Sequence, residues 1–415
     1  MYAILFNFYQ YINMKSILTY REQYPFFAVV LLAVSFTKLL NWNAFVVPII
    51  LFIYSYHLKS NDSHIIDKAD FKKLIGIFIL CIFHLGIVYL LGNKAFSLQY
   101  VSRGISTCLF AIGQIYLCYK LTRKYGPFAF VVLVDALMLS YSVNFFTAVV
   151  QFGFSQVMMA FFSVFHSGFS GTEGLETDSV LEQAHATLLI MPLAAVLFYH
   201  VYMSTKEKGV LVRLIIAVVI SLLAYKRIAI GAAIVVWLLF AFKYIYNKTI
   251  IMTCGIVAVL FMVTFIWLIK SGVFYEIAML YDINLMYRDV LWPAFDRFYD
   301  VSVDFIGQGY GFVSKYLALN NRFVFGNNIG GLHNDILKIY IELGFIGFLI
   351  YISYFILYIP LYLYKKKGVM VSFVFWICQV YLMILYLTDN SMIYPTNQYV
   401  AYLAPFTISN YLSNK

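Results

Sequence analysis

The chain has 415 residues, of which 63% are hydrophobic and only 12% charged, and its mean hydropathy is +0.84. That is too little polar surface for a water-soluble domain. A net charge of +10, held largely in short segments between apolar runs, fits orientation in a membrane and contact with anionic headgroups better than nucleic-acid binding; the five cysteines lie inside those runs and suggest no disulfide framework.

In chain order, residues 1–23 are apolar and aromatic but carry Asn7, Gln10, Asn13 and Lys15, and read as a cytoplasmic or interfacial segment rather than a cleavable leader. Residues 24–269 hold nine apolar runs, near 24–41, 43–59, 73–91, 99–119, 127–150, 181–203, 210–225, 228–246 and 249–269. Residues 338–415 hold three more, near 338–361, 369–387 and 392–411, and then a cytoplasmic C-terminus. Runs of this length cross a ~30 Å hydrocarbon layer as helices, because a lipid-embedded backbone must pair its own polar groups. Their apolar character is continuous rather than alternating, which argues against a barrel. The expected fold is therefore all-α, a polytopic membrane protein of about 12 transmembrane helices with one long extracytoplasmic loop.

Basic residues set the expected orientation. Lys68, Lys72, Lys73, Lys120, Arg123, Lys124, Lys206, Lys208, Lys248 and Lys365 to Lys367 fall on one face, which the positive-inside rule makes cytoplasmic. The segments 151–180 and 270–337 then face outward. The first carries Glu173, Glu176 and Asp178 among glycines, and reads either as a solvated loop or as a ligand contact. Asp135, inside the fifth span, reads as a structural pairing partner. The Lys226-Arg227 turn either snorkels to the interface or offers a cation to an anionic substrate.

The segment 270–337, with short helices, is too long for an ordinary connector. Tyr287 to Arg297 has the mixed pattern of an amphipathic helix interrupted near Pro293. Arg288 there is either half of a surface ion pair or a holder of phosphate, for which a planar multi-donor cation is suited. Gly307-Gln-Gly-Tyr-Gly311 lacks the spacing and setting of a dinucleotide fingerprint and reads as a tight bend. Asn334 or Asp335 caps the next helix, leaving His333 just outside its N-terminus, where the dipole favours anions and keeps an imidazole neutral. From its residue type alone His333 is either an exposed loop histidine or a general base. Glu342 either pairs with Lys338 or lines a cavity, and Gly344 and Gly347 permit close packing. Asp389-Asn390 can cap a helix, pair with an arginine or meet sugar hydroxyls.

Taken together, Lys226-Arg227, Arg288-Asp-Val-Leu-Trp292, Gly307-Gln-Gly-Tyr-Gly311, His333-Asn334 followed by Glu342-Leu-Gly344-Phe-Ile-Gly347, and more weakly Asp389-Asn390, resemble the bacterial O-antigen ligase and polymerase superfamily of membrane glycosyltransferases. The resemblance implies transfer of a glycan from undecaprenyl diphosphate to a hydroxyl, without metal or other cofactor. In that reading His333 is the base. Arg227 and Arg288 hold the donor diphosphate, with Arg297 and Arg322 as further helpers, and Asn334, Glu342 and Asp389 contact substrate. It implies a multi-pass protein of the bacterial cytoplasmic (inner) membrane with its active site facing the periplasm or exterior. Expected partners are undecaprenyl-diphosphate-linked oligosaccharide, membrane lipids, a flippase and a chain-length regulator. A polymerase of repeat units is the first reading, a ligase to lipid A-core or another acceptor the second, and a polysaccharide or lipid transporter the third.

Overall fold

The computed structural model describes residues 26–36, 65–91, 98–159, 188–224, 226–241, 247–283, 285, 287–325, 331–393 and 395–412. The expected span near 43–59, Glu173, Glu176, Asp178 and the stretch 326–330 lie outside them. The described residues are all-helical, without a strand. The main helices are α1 (Phe26–Phe36), α2 (Lys68–Leu90), α3 (Leu98–Tyr125), α4 (Ala129–Phe152), α5 (Met191–Thr205), α6 (Lys208–Ala224), α7 (Arg227–Ala241), α8 (Lys248–Lys270), α9 (Val273–Leu280), α10 (Phe312–Phe325), α11 (Asp335–Ser353), α12 (Ile359–Lys367), α13 (Val369–Tyr386) and α14 (Pro395–Thr407).

Among the described residues, five helical runs are long and apolar enough to cross a membrane: Lys68–Leu90, Leu98–Phe152, Lys248–Lys270, Asp335–Lys367 and Val369–Tyr386. The expected count of about twelve is not confirmed among these residues. Helices α5, α6, α7 and α14 have 13 to 17 described residues, α1 has 11, and the expected span near 43–59 lies outside them. The run Leu98–Phe152 contains two expected spans, joined through Gly126, whose φ of 57° turns the chain into a short 3-10 segment led by Pro127.

The chain divides into two compact units. The first comprises Met1–Asp67, Tyr116–Phe242 and Tyr394–Lys415. In it α1 and α14 pack on α4, and α6 and α7 pack on α5. Asp135 of α4 meets Arg213 of α6 through two hydrogen bonds, Nε to Oδ1 and Nη2 to Oδ2, both 2.8 Å. The expected structural role of Asp135 is thus met by a bidentate pair. Removing one partner would strand a buried charge at a cost of about 3–5 kcal/mol.

The second unit comprises Lys68–Ile115 and Lys243–Ile393. Helix α11 packs on α2, α8, α10 and α13. Glycines set two close approaches. A Cβ at Gly255 of α8 would fall 2.5 Å from Leu357, and one at Gly76 of α2 would fall 2.5 Å from the Tyr354 hydroxyl. One end of the unit gathers cations: Lys366 and Lys367 reach the fully buried Asp70 carboxylate at 2.9 and 3.3 Å, and Lys73 donates to the Tyr358 hydroxyl at 2.7 Å.

Candidate functional site

Helix α11 starts where the sequence places it. Asn334 is extended, and its Oδ1 accepts the Leu337 N–H at 2.8 Å, so Asn334 rather than Asp335 is the cap. Asp335 serves the neighbouring segment instead, its Oδ2 accepting the Met392 N–H at 2.7 Å. His333 precedes the cap in the left-handed region, with φ of 52°. That conformation costs a non-glycine residue about 1–2 kcal/mol. The Asn390 side chain offsets the cost, its Oδ1 accepting the His333 N–H at 2.7 Å. Gly331 makes room for this contact, since a Cβ there would sit 2.3 Å from the Asn390 amide nitrogen.

The His333 ring is partly exposed, at 44%, and its Nδ1 lies 3.9 Å from Asp389 Oδ1. Asp389 Oδ1 also accepts the Asn390 N–H at 2.8 Å, which fixes the carboxylate just past the end of α13. Arg288 approaches from the other side. Its Nη2 donates to the Thr388 carbonyl at 2.7 Å and its Nη1 to the Leu285 carbonyl at 3.2 Å. Burial lowers the pKa of this guanidinium, and the neighbouring Asp389 raises it. Its Nε is buried without a hydrogen-bond partner. Trp292 locks the segment in place: it is 1% exposed, and its indole N–H donates to the carbonyl of Leu332, next to His333. The second unit therefore gathers a cation, a carboxylate and an imidazole near the N-terminus of α11.

A second construction lies further along α11. Gly344 breaks the helix with φ of 70° and ψ of −176°, a conformation essentially confined to glycine. The break frees the carbonyls of Ile341 and Glu342, which accept the Gln308 and Gly309 N–H groups, both at 2.8 Å. The Phe345 N–H donates to the Phe305 carbonyl at 2.9 Å. The 307–311 stretch is thus the expected tight bend, seated in the gap. Glu342 is fully buried, and its Oε1 accepts the Val313 N–H at 3.1 Å, which clamps the chain just after the bend.

The structure brings His333, Asn334, Arg288 and Asp389 together. It places Glu342 in the bend clamp, out of solvent. Arg297 lies over the rings of Phe298 and Tyr316, at 4.8 and 5.8 Å, and donates to the Tyr316 hydroxyl. Arg227 opens α7 and belongs to the first unit. Arg322 lies in α10, and its side chain is outside the described residues. Residue-type reasoning missed the hold of Asn390 on the His333 backbone. Its adjacency to Asp389 was the only signal.

Among the described residues, no group of three or more His, Cys, Asp or Glu side chains is placed to hold a metal ion. Residues 212–352 match the family model described as O-antigen ligase. The matched segment, about a third of the chain, is similar to that family. The matched segment runs from α6 into α11 and takes in Arg227, Arg288, the Gly307–Gly311 bend, His333 and Glu342, whereas Asp389 and Asn390 lie beyond it. Members of this family are glycosyltransferase-like enzymes. No curated protein matches the chain.

Proposed function

We propose that the chain transfers a glycan from undecaprenyl diphosphate to a hydroxyl, and that it is a polymerase joining lipid-linked repeat units. The observation that carries this reading is the cluster of Arg288, Asp389 and His333 near the start of α11. Asp389 faces Nδ1 of the imidazole, which leaves Nε2 to take the proton of the acceptor hydroxyl. The acceptor oxygen then forms its bond to the anomeric carbon as the bond from that carbon to the diphosphate oxygen breaks. The diphosphate leaves with the electron pair, and the anomeric carbon inverts. Charge developing on it is stabilised by Arg288 and by the N-terminus of α11. Asn390 contributes by holding the His333 backbone in place.

The dimensions of the second unit agree with an outward-facing site. The run Asp335–Lys367 has 33 residues, enough to cross a hydrocarbon layer of about 30 Å even with its break at Gly344. With its lysine-rich end at the cytoplasmic headgroups, its His333 end reaches the opposite interface. This supports a reading in which the protein sits in a bacterial inner membrane and takes lipid-linked oligosaccharide delivered by a flippase, with a chain-length regulator as a further partner.

A ligase is the second reading, favoured by the description of the matching family model. Purified full-length protein given a single lipid-linked repeat unit distinguishes the two. Growth of a ladder in that assay is expected of a polymerase. Transfer that appears only after a separate acceptor lipid is added would make the chain a ligase, and lipid movement with no new glycosidic bond would remove the enzyme reading.

A further inference from the structure

Arg103 has no part in the site described above, yet the second unit fixes its backbone. Gly311 packs against it so closely that a Cβ on Gly311 would lie 3.3 Å from the Arg103 carbonyl carbon and 2.9 Å from Gly104 Cα. The reverse holds at Gly104, where a Cβ would fall 2.1 Å from the Tyr310 carbonyl oxygen. One turn earlier, Tyr100 stacks on Phe312 with ring centroids 5.2 Å apart. Residues 100 and 104 thus mark the face of α3 that meets the bend. Position 103 falls on the rim of that face, about 60° round the helix from Tyr100.

The guanidinium itself is exposed. Among the described residues it makes no hydrogen bond or ion pair, although it interacts electrostatically with the buried Glu342 carboxylate. That carboxylate is already engaged by the Val313 N–H and has no exposed surface to offer. Arg103 also lies near the start of a membrane-length helical run. An uncompensated guanidinium in hydrocarbon is expensive, so this one belongs at the headgroup level or in a water-filled mouth. Its end of the unit is the one opposite the lysine cluster. Helix α2 runs from Lys68 towards His84, whose ring nitrogen meets the Ile306 carbonyl at 2.8 Å, beside the same bend.

We propose that Arg103 binds the phosphate of an amphiphile at the mouth of α3, and, resting on the function proposed above, that this amphiphile is the lipid-linked substrate held by its diphosphate. A planar guanidinium with no ion pair among the described residues, at the depth where lipid phosphates lie, suits bidentate phosphate binding. The second source of the same chemistry is an ordinary anionic phospholipid. The choice of the diphosphate rests on the bend: it touches Arg103 on one side and fills the break in α11, the helix that starts at His333, on the other.

The test uses purified full-length protein in phosphatidylcholine nanodiscs, with undecaprenyl diphosphate as the probe. Arg103→Ala should weaken binding about tenfold or more, the worth of one charge-assisted contact, and Arg103→Lys should recover part of it. Unchanged affinity in Arg103→Ala would overturn the proposal. Should Arg103→Ala lose its thermal transition, Arg103→Gln, which removes the charge at similar length, carries the same comparison. In nanodiscs containing phosphatidylglycerol, the weaker binding of the probe to Arg103→Ala should persist. A variant that loses retained phosphatidylglycerol but binds the probe like the wild type would assign the site to phospholipid and overturn the substrate assignment. Glycosyl transfer by the wild type is measured separately. Its absence would count against the proposed function, while the affinity difference at Arg103 would still stand or fall on its own.

Discussion

Replacing Gly344 by alanine attacks the joint between α11 and the Gly307–Gly311 bend. Alanine at φ of 70° and ψ of −176° occupies a region open essentially to glycine alone, at a cost on the order of 1–3 kcal/mol. Its Cβ would fall 2.2 Å from the Phe305 carbonyl oxygen and 2.3 Å from the Ile306 carbonyl carbon, so the bend cannot remain in place. If α11 relaxes to a continuous helix, the hydrogen bonds of Gln308 to Ile341, Gly309 to Glu342 and Phe345 to Phe305 are lost. At about 1 kcal/mol each, the cost of this relaxation is roughly 3 kcal/mol, partly offset by new helical bonds. Thermal unfolding in detergent should show a transition several degrees lower, together with reduced glycosyl transfer. Gly347→Ala is the control: its Cβ would meet only Leu343 Cβ at 3.0 Å and otherwise nothing nearer than 4.0 Å. A Gly344→Ala protein as stable and as active as the Gly347→Ala protein would refute the reasoning.

Asn390→Ala removes the acceptor that holds the His333 N–H, so turnover should fall while undecaprenyl diphosphate affinity is kept; steady-state kinetics beside a binding isotherm separates the two. Trp292→Phe loses the hydrogen bond to Leu332 and leaves a cavity where the indole was buried, and should lower stability by about 2 kcal/mol or more in a denaturant titration. Burial raises the pKa of Asp296, with the Tyr299 hydroxyl and Lys270 acting the other way. A raised folded-state value gives stability that is fully present below the ordinary value of 3.8 and is lost as pH rises through the folded value. The melting temperature of Asp296→Asn, compared with wild type, should therefore improve as pH rises from about 4 towards 7; a gap that stays constant would show that the carboxyl is not perturbed.

The helical, membrane-type character was legible because it depends on composition, and an apolar backbone must satisfy its own hydrogen bonds. The cap at Asn334 was legible because it depends on a few consecutive residues. The same holds for the Gly307–Gly311 bend, whose three glycines all have φ near 90°. What fills that bend was not legible. The freed carbonyls of Ile341 and Glu342 exist only once Gly344 has broken α11, and in one dimension Gly344 looked like a packing glycine. The pairing of His333 with Asp389 joins residues 56 positions apart, and only the resemblance suggested that both matter. Glu342 read either as a partner of Lys338, one turn earlier, or as a cavity residue. It interacts electrostatically with Lys338, and its Oε1 also accepts the Val313 N–H, a backbone contact that no pattern of side chains reveals. Five membrane-length runs stand among the described residues, while the described parts of α5, α6, α7 and α14 have 13 to 17 residues, so the count of about twelve is not confirmed there.

In the proposed mechanism the imidazole beside Asp389 takes the acceptor's proton. Single-turnover transfer from a purified undecaprenyl-diphosphate-linked repeat unit, compared between wild type and His333→Ala, isolates that step. The variant should bind donor with wild-type affinity and transfer glycan at least ~100-fold more slowly. Transfer by His333→Ala at the wild-type rate would rule out this role for the imidazole.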